Sequence, residues 1–214
     1  MEQSTRLRIV IAIVLPLVLA GAAQYRPSAQ RLPRPRIPPV PPSEMTDAQR
    51  TALGRFYRGE ETGNIFRTCV QNVALCGAWQ PFANHLVAAT NSVPAREREM
   101  LILRTSWLCH ADYDWAHHVT AAKNAGLSQD EILRIAKGPD APGWTAFDAA
   151  VLRAADELHG EQHVADATWA ALRARYTESQ LMDAVFTVGQ YTLVSMFLNS
   201  AGVQLEPGYS GLPK

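Results

Sequence analysis

The chain has 214 residues, and its 20 lysines and arginines are balanced by 20 aspartates and glutamates. This length suits one domain with extensions and is large enough to bury a real core. The zero net charge leaves no basic excess to release counterions from phosphates. The composition therefore argues against a nucleic-acid partner and favours a small-molecule enzyme or an oligomer-forming domain.

The first 23 residues predict an export signal. Arg6 and Arg8 precede an apolar run from Ile9 to Ala20, and the triplet Ala20-Gly21-Ala22 has the pattern of a cleavage site. The run is shorter than the about 20 apolar residues that a comfortable membrane span needs. We therefore expect an exported protein, periplasmic or secreted. The alternative is an uncleaved N-terminal anchor, which would be its only attachment to a membrane.

The next segment, 24–44, predicts a spacer. Seven of the fourteen prolines lie between residues 24 and 42, and such a stretch favours an extended, semi-rigid chain. From residue 45 to 214 we expect one helical domain, because no alternating run of β-branched residues bounded by turn signals occurs there.

Capping patterns mark the helix starts of this domain. Ser128 with Glu131, and Thr177 with Gln180, match the capping box, and Gly126 marks a helix end. The fold class predicted is therefore all-α. The patterns predict helices near 46–58, 63–71, 74–89, 94–109, 112–125, 128–137, 145–160, 166–175 and 177–200.

Three cysteines would meet an oxidising compartment after export, where an odd count leaves at least one unpaired. Cys69 and Cys76 can bridge if a turn at Asn72 brings them together. On one continuous helix they would lie roughly 10 Å apart, too far for a disulfide. The alternative is that these two and Cys109 are small buried hydrophobic residues.

Polar side chains concentrate in the segment 99–118. Asp114 and His118 are four residues apart, so they share a helix face. A carboxylate beside an imidazole fixes its tautomer and raises its basicity, as general acid–base catalysis requires. Glu99, on the preceding helix, can fold back as a second carboxylate. Bracing of a helix pair is the structural alternative. This segment has no His-x-x-x-His or cysteine pair, so we expect no metal.

Three phrases resemble the core signature of the carboxymuconolactone decarboxylase and alkylhydroperoxidase D-like family. They are Arg-Glu-Arg-Glu-Met-Leu-Ile-Leu-Arg from 96, Asp-Tyr-Asp-Trp-Ala-His-His-Val from 112 and Ala-Gly-Leu-Ser from 125. The run 186–205 and the phrase Asn-Ile-Phe-Arg-Thr from 64 are similar to the same family. The likeness spans roughly residues 45 to 207 and implies an alkylhydroperoxidase D-like helical domain.

In the family's peroxidase branch, a glutamate, a Cys-x-x-Cys pair and a histidine form the site. On this chain they fall on Glu99, Ala111, Asp114 and His118. The proton-handling positions match, but both thiols are missing, and a dithiol peroxidase needs one thiolate to attack and a second thiol to resolve. Cys109 lies two residues away, about 200° around a helix, which makes it a poor substitute.

The remaining features resemble the decarboxylase branch. This resemblance implies a cofactor-independent, lyase-type enzyme that decarboxylates or protonates a small cyclic acid or lactone. Glu99, Asp114 and His118 would be its catalytic residues. Two alternatives stay open. One is a non-catalytic helical binding or assembly domain, and the other is a peroxide-reducing enzyme without the usual dithiol.

Neighbouring residues would bind the substrate. Arg96, Arg98 or Arg104 would hold its acid group through a two-pronged contact, although a surface ion pair explains each arginine as well. An aromatic-sized pocket would have as its walls Trp107, Tyr113 and Trp115. The alternative is that these aromatic residues belong to the core.

The helix after Thr177 predicts a homo-oligomer. It carries apolar residues on more than one face, and a helix that is apolar all round must be buried. The family resemblance also implies closed symmetric assemblies.

Overall fold

The structure is a computed structural model that describes residues 32–213, so the export signal predicted at 1–23 lies outside the described residues. The described part contains α-helices and short 3-10 turns and no strand, which confirms the all-α prediction. Each predicted helix has a counterpart. The nine α-helices within residues 32–213 are α1 Asp47–Leu53, α2 Asn64–Cys69, α3 Val73–Val87, α4 Ala95–Leu108, α5 Asp112–Asn124, α6 Gln129–Lys137, α7 Ala146–Glu161, α8 Asp166–Arg173 and α9 Glu178–Ala201.

The first helix is shorter than the sequence predicts. It ends at Leu53, because Gly54 has a φ of +51°, a left-handed conformation that favours glycine. The chain continues as a 3-10 turn, Gly54–Phe56. Both predicted capping boxes are confirmed, at the starts of α6 and α9.

Helix α4 lies at the centre of the domain, packed against α5, α6, α7 and α9. Every residue from Arg98 to Ser106 is buried, including charged ones. The hydroxyls of Thr105 and Ser106 donate to carbonyls of their own helix at 2.8 Å. The charged side chains need partners on neighbouring helices, since a buried unpaired charge is costly.

Both chain ends of the described region fold back on the helices. The Arg36 amide donates to the Ala201 carbonyl at 2.8 Å, so the last part of the predicted spacer contacts the domain. At the other end, the Leu212 amide donates to Asp112 Oδ1 at 3.0 Å. The C-terminal tail therefore crosses α5, which brings Glu206 and Tyr209 to this helix.

Among the described residues, α9 alone is long and apolar enough to span a membrane, and half of its apolar window is buried inside the domain. A helix that packs in the core of a domain can have the same length and apolar composition, so this feature of α9 is weak evidence for a membrane span.

Candidate active site

A cavity of about 320 Å³ lies between α2, α3, α5 and α9. Apolar side chains such as Ile65, Leu86 and Val194 form much of its wall. A mostly apolar wall with a few polar groups is typical of small-molecule sites. The polar groups on the buried part of the wall are Trp79, Tyr113, Asp114, His117, His118, Gln190 and Tyr191.

The His118 ring is held at both nitrogens. Its Nδ1 lies 2.7 Å from Glu99 Oε2, and its Nε2 lies 2.9 Å from the Tyr191 hydroxyl. A carboxylate only accepts hydrogen bonds, so Nδ1 carries a proton and donates a hydrogen bond to Glu99. His118 and Tyr191 line the cavity, whereas Glu99 lies behind the ring. Helices α4 and α9 therefore set the orientation and tautomer of a histidine on α5.

This arrangement corrects the interpretation of Asp114 as the group that orients His118. Glu99 has that role, because α4 packs along α5 and brings Glu99 onto Nδ1. Burial disfavours the charged imidazole, but the charge and hydrogen bond of Glu99 outweigh burial. The charge of Asp114 adds to them, so the pKa of His118 is raised.

Asp114 is a second titratable group on the same wall. Its side chain is buried, and its Oδ2 accepts a hydrogen bond from Ser195 Oγ at 3.3 Å. Burial raises the pKa of Asp114 to about 7, although the His118 charge and the Ser195 hydrogen bond oppose this shift. A carboxyl group that titrates near neutrality can act as both acid and base.

A second polar cluster ties the C-terminal tail to the cavity. His117 Nε2 lies 2.8 Å from Glu206 Oε2, and Glu206 Oε1 accepts hydrogen bonds from the Tyr113 hydroxyl at 2.7 Å and the Asn64 amide at 2.6 Å. Burial of Glu206 favours its neutral form, but these hydrogen bonds outweigh burial and lower its pKa to about 2. Tyr209 stacks on His117 with ring centroids 4.2 Å apart.

His117 and Tyr113 lie four residues apart on α5, each one position before His118 and Asp114, and both also line the cavity. The reason is that the cavity wraps around two faces of α5 and is closed by the tail. Tyr113 is thus at the cavity wall, where its role in substrate binding stays a prediction.

The structure does not bring Arg96 and Arg104 to the cavity, which corrects their assignment to substrate binding. Arg96 binds Asp148 and Glu131, each at 2.7 Å. Arg104 binds Asp156 through Nε at 2.5 Å and donates to two carbonyls near the end of α6. Both arginines brace α4 against α6 and α7, as the alternative interpretation of ion pairs predicts.

Trp107 and Trp115 are also absent from the cavity wall. Their ring centroids lie 6.0 Å apart; Trp115 belongs to the main core, and Trp107 is partly buried and packs against it. The cavity side of α5 carries Asp114 and His118, one turn apart. Trp115 is rotated by about 100° from Asp114, toward the core.

Several site residues escaped the sequence analysis, among them Gln190 and Tyr191 on α9 and Glu206 in the tail. One signal was present: Tyr191 and Ser195 are polar residues one turn apart on α9, and Gln190 immediately precedes Tyr191. No local pattern marks Glu206. Within residues 32–213, no group of three histidines, cysteines or acids is arranged to hold a metal ion.

Comparisons with known proteins show a family likeness over part of the chain and a shared fold. Residues 75–157 match the sequence model of the Carboxymuconolactone decarboxylase family. No curated protein matches the chain. A solved protein from Ralstonia eutropha JMP134, described as an uncharacterized peroxidase-related protein with an alkylhydroperoxidase AhpD core, has 19% identity and a TM-score of 0.71, over 82% of this chain and 94% of that one.

An uncharacterized peroxidase-related protein from Silicibacter sp. TM1040 has 15% identity and a TM-score of 0.65, over 87% of this chain and 97% of that one. Identities this low show a shared fold alone. The matched segment contains Glu99, Asp114 and His118, while α9 and the tail lie beyond it. Over residues 75–157 the chain is similar to the carboxymuconolactone decarboxylase family, and it has the AhpD-like fold.

Proposed function

We propose that the protein is a cofactor-independent acid–base enzyme of the lyase type, which transfers a proton to or from a small cyclic acid or lactone in the cavity. One observation carries this proposal. A buried carboxyl group, Asp114, and an imidazole held at both nitrogens, His118, share one wall of a largely apolar cavity. Titratable groups with shifted pKa values in such a cavity are typical of acid–base sites.

His118 is the proton-transferring group in this proposal. Glu99 stabilises its charged form from behind, and Nε2 lies on the Tyr191 side, where substrate can bind. Asp114 is the second acid or base. In a decarboxylation, the bond to the carboxylate breaks, an adjacent carbonyl holds the electron pair, and a proton from His118 replaces the CO₂. In an isomerisation, the two groups exchange protons with two substrate atoms.

A peroxidase mechanism receives less support. The two structural relatives are described as peroxidase-related, but this chain has Ala111 and Asp114 where that branch has its thiols. None of the three cysteines lines the cavity. The nearest in sequence, Cys109, contacts His159 instead, with 3.6 Å between Sγ and Nδ1.

The test is hydrogen–deuterium exchange at the carbon next to the carbonyl of five- and six-membered lactones, with and without a carboxyl group, followed by NMR in D₂O. We expect the wild-type protein to catalyse exchange or CO₂ release for one of them. Asp114→Asn and His118→Gln should each lower the rate by about 10²–10⁴-fold. His163→Gln, an exposed histidine after α7, is the matched control and should keep the full rate.

Two outcomes would contradict the proposal. One is a full rate in His118→Gln. The other is tight binding of these compounds in the cavity without exchange or CO₂ release, which would support a binding domain instead.

A further inference from the structure

Two residues that line the cavity each carry a buried polar atom without a hydrogen-bond partner among the described residues. These atoms are Trp79 Nε1 and Gln190 Oε1. Gln190 is only 5% exposed. An indole N–H only donates and an amide oxygen only accepts, so the pair is suited to a ligand with one acceptor and one donor.

The charges on the wall argue against a buried carboxylate. The basic residues among the described ones that line the cavity are Arg58, His117 and His118. The two histidines are already bound to carboxylates, and Arg58 is exposed. A carboxylate placed beside Gln190 would lie near Asp114 without a free cation, which is unfavourable in an apolar site.

The cavity also limits the size of the ligand. Its volume of about 320 Å³ is roughly twice the ~150 Å³ of a cavity that binds benzene, so it has room for about twelve non-hydrogen atoms. We infer that the buried part of the substrate is a neutral cyclic carbonyl compound that also carries a hydrogen-bond donor, such as a hydroxylated lactone. Trp79 donates to its carbonyl and Gln190 accepts from its donor.

This inference rests on the proposed function and narrows it to proton transfer beside a carbonyl, rather than loss of a carboxylate from the buried end. Binding can be tested separately from catalysis with benzamide and benzoate, which have the same shape. Benzamide is neutral and has both a donor and an acceptor, whereas benzoate is an anion that only accepts.

We expect calorimetric titration at pH 8 to show benzamide binding at least about tenfold more tightly than benzoate. Gln190→Leu and Trp79→Phe should each weaken benzamide binding by about tenfold, because each removes one hydrogen-bonding atom. Gln129→Leu makes the same change at an exposed position of α6 and should leave binding unaltered.

Benzoate binding as tightly as benzamide, no binding of either probe at millimolar concentration, or unchanged benzamide binding in Gln190→Leu would each overturn the inference. Benzamide binding that depends on Gln190, without any proton exchange in the lactone screen, would leave the subsite in place and reject the proposed reaction alone.

A different observation concerns Cys69 and Cys76. Cys69 is the last residue of α2, the Asn72 amide donates to its carbonyl at 3.0 Å, and the Cys76 amide donates to the Asn72 carbonyl at 2.9 Å. This turn places both thiols in one small core cluster, where each thiol shifts the pKa of the other. Phe66 and Trp79 pack against that cluster and line the cavity.

We also infer that Cys69 and Cys76 form a disulfide when the protein meets a disulfide oxidant such as glutathione disulfide. The two thiols lose two protons and two electrons, and the oxidant leaves as two glutathione thiols. The neighbouring Cys69 thiol outweighs burial and lowers the pKa of Cys76, which favours the thiolate that disulfide exchange needs. The bond joins α2 to α3, the two helices that carry Phe66 and Trp79.

The test is oxidation of the purified protein with glutathione disulfide, followed by alkylation and peptide mass spectrometry. We expect one peptide pair linked through Cys69 and Cys76, and a Tm higher by roughly 5 °C, because the bond closes a short loop. Cys69→Ala should leave Cys76 as a thiol or a mixed disulfide. Alkylation of both thiols after full oxidation, or a bond from either one to Cys109, would overturn this inference.

Discussion

His118 Nδ1 lies 2.7 Å from Glu99 Oε2 and so joins α5 to the buried helix α4. The two side chains are 16% and 6% exposed. Removal of one partner from such a pair leaves the other charge buried, and this costs more than the intact pair contributes. The interaction therefore stabilises the fold as well as the proposed acid–base site, and a substitution of His118 also changes the surroundings of Glu99.

His118→Ala should lower the free energy of unfolding by about 3–5 kcal/mol, because Glu99 loses its partner. His118→Gln should lose less, since its amide can still donate to Glu99, and it is therefore the better variant for turnover. Replacing both His118 and Glu99 with leucine should restore most of the stability that His118→Ala loses, because no buried charge is then left without a partner. Urea unfolding measures the free energy of unfolding of each variant. A His118→Ala protein as stable as the wild type would contradict the prediction.

Asp114→Asn should stabilise the protein at pH 8 and leave its stability at pH 3 unchanged. The folded pKa of Asp114 is about 7, above its usual value of 3.8, so the unfolded chain releases this proton first. Stability is therefore lost as the pH rises from about 4 to 7, by about 4 kcal/mol in all. Asparagine removes that loss together with the acid–base group. Melting curves at both pH values, beside the exchange rate, test this prediction.

The reverse result for Asp114→Asn, a lower Tm at pH 8, would show that the carboxylate is stabilised at this position. Asp166→Asn, at the exposed start of α8, is the control for the same chemical change.

Glu206 should hold the C-terminal tail only while it is ionised. Its pKa is lowered to about 2, so the stability that it contributes is present above its usual value of 4.5 and is lost as the pH falls toward 2. We expect Glu206→Gln to release the tail at neutral pH, seen as faster proteolysis after Val203. Glu178→Gln, which removes an exposed ion pair with Arg173, should not. Equal cleavage rates for the two variants would contradict the prediction.

The oligomer predicted from the sequence has a specific candidate surface. Met182, Phe186, Leu193 and Met196 form an exposed apolar stripe along α9, and Phe82 on α3 contacts Phe186 edge to face at 6.0 Å. Apolar stripes of this kind mark interaction sites. We expect light scattering to show an oligomer at micromolar concentration.

Phe186→Asp should dissociate that oligomer. Leu133→Asp introduces the same kind of charge at an exposed apolar position on α6 and should leave the oligomer intact. A monomeric mass for the wild-type protein would count against the proposal.

The helices could be predicted from the sequence because their signals are local. The hydroxyl of Thr177 and the amide of Gln180 meet through backbone geometry three residues apart, so α9 starts where the capping box predicts. The exception, Gly54, is also local, but a glycine inside a helical pattern does not reveal its φ. The four-residue spacing of Asp114 and His118 correctly predicted one shared wall, since helical periodicity alone decides that.

Contacts between helices were decided only by the tertiary structure. Glu99 rather than Asp114 holds His118, and Arg104 turns toward α7 rather than the cavity, because the packing of α4 against its neighbours sets which side chains meet. Tyr191 and Glu206 are 73 and 89 residues from their histidine partners. No periodicity or motif relates positions so distant. The sequence by itself determined the helices and the faces of the candidate acid–base groups, and only the packed helices determined each group's partners.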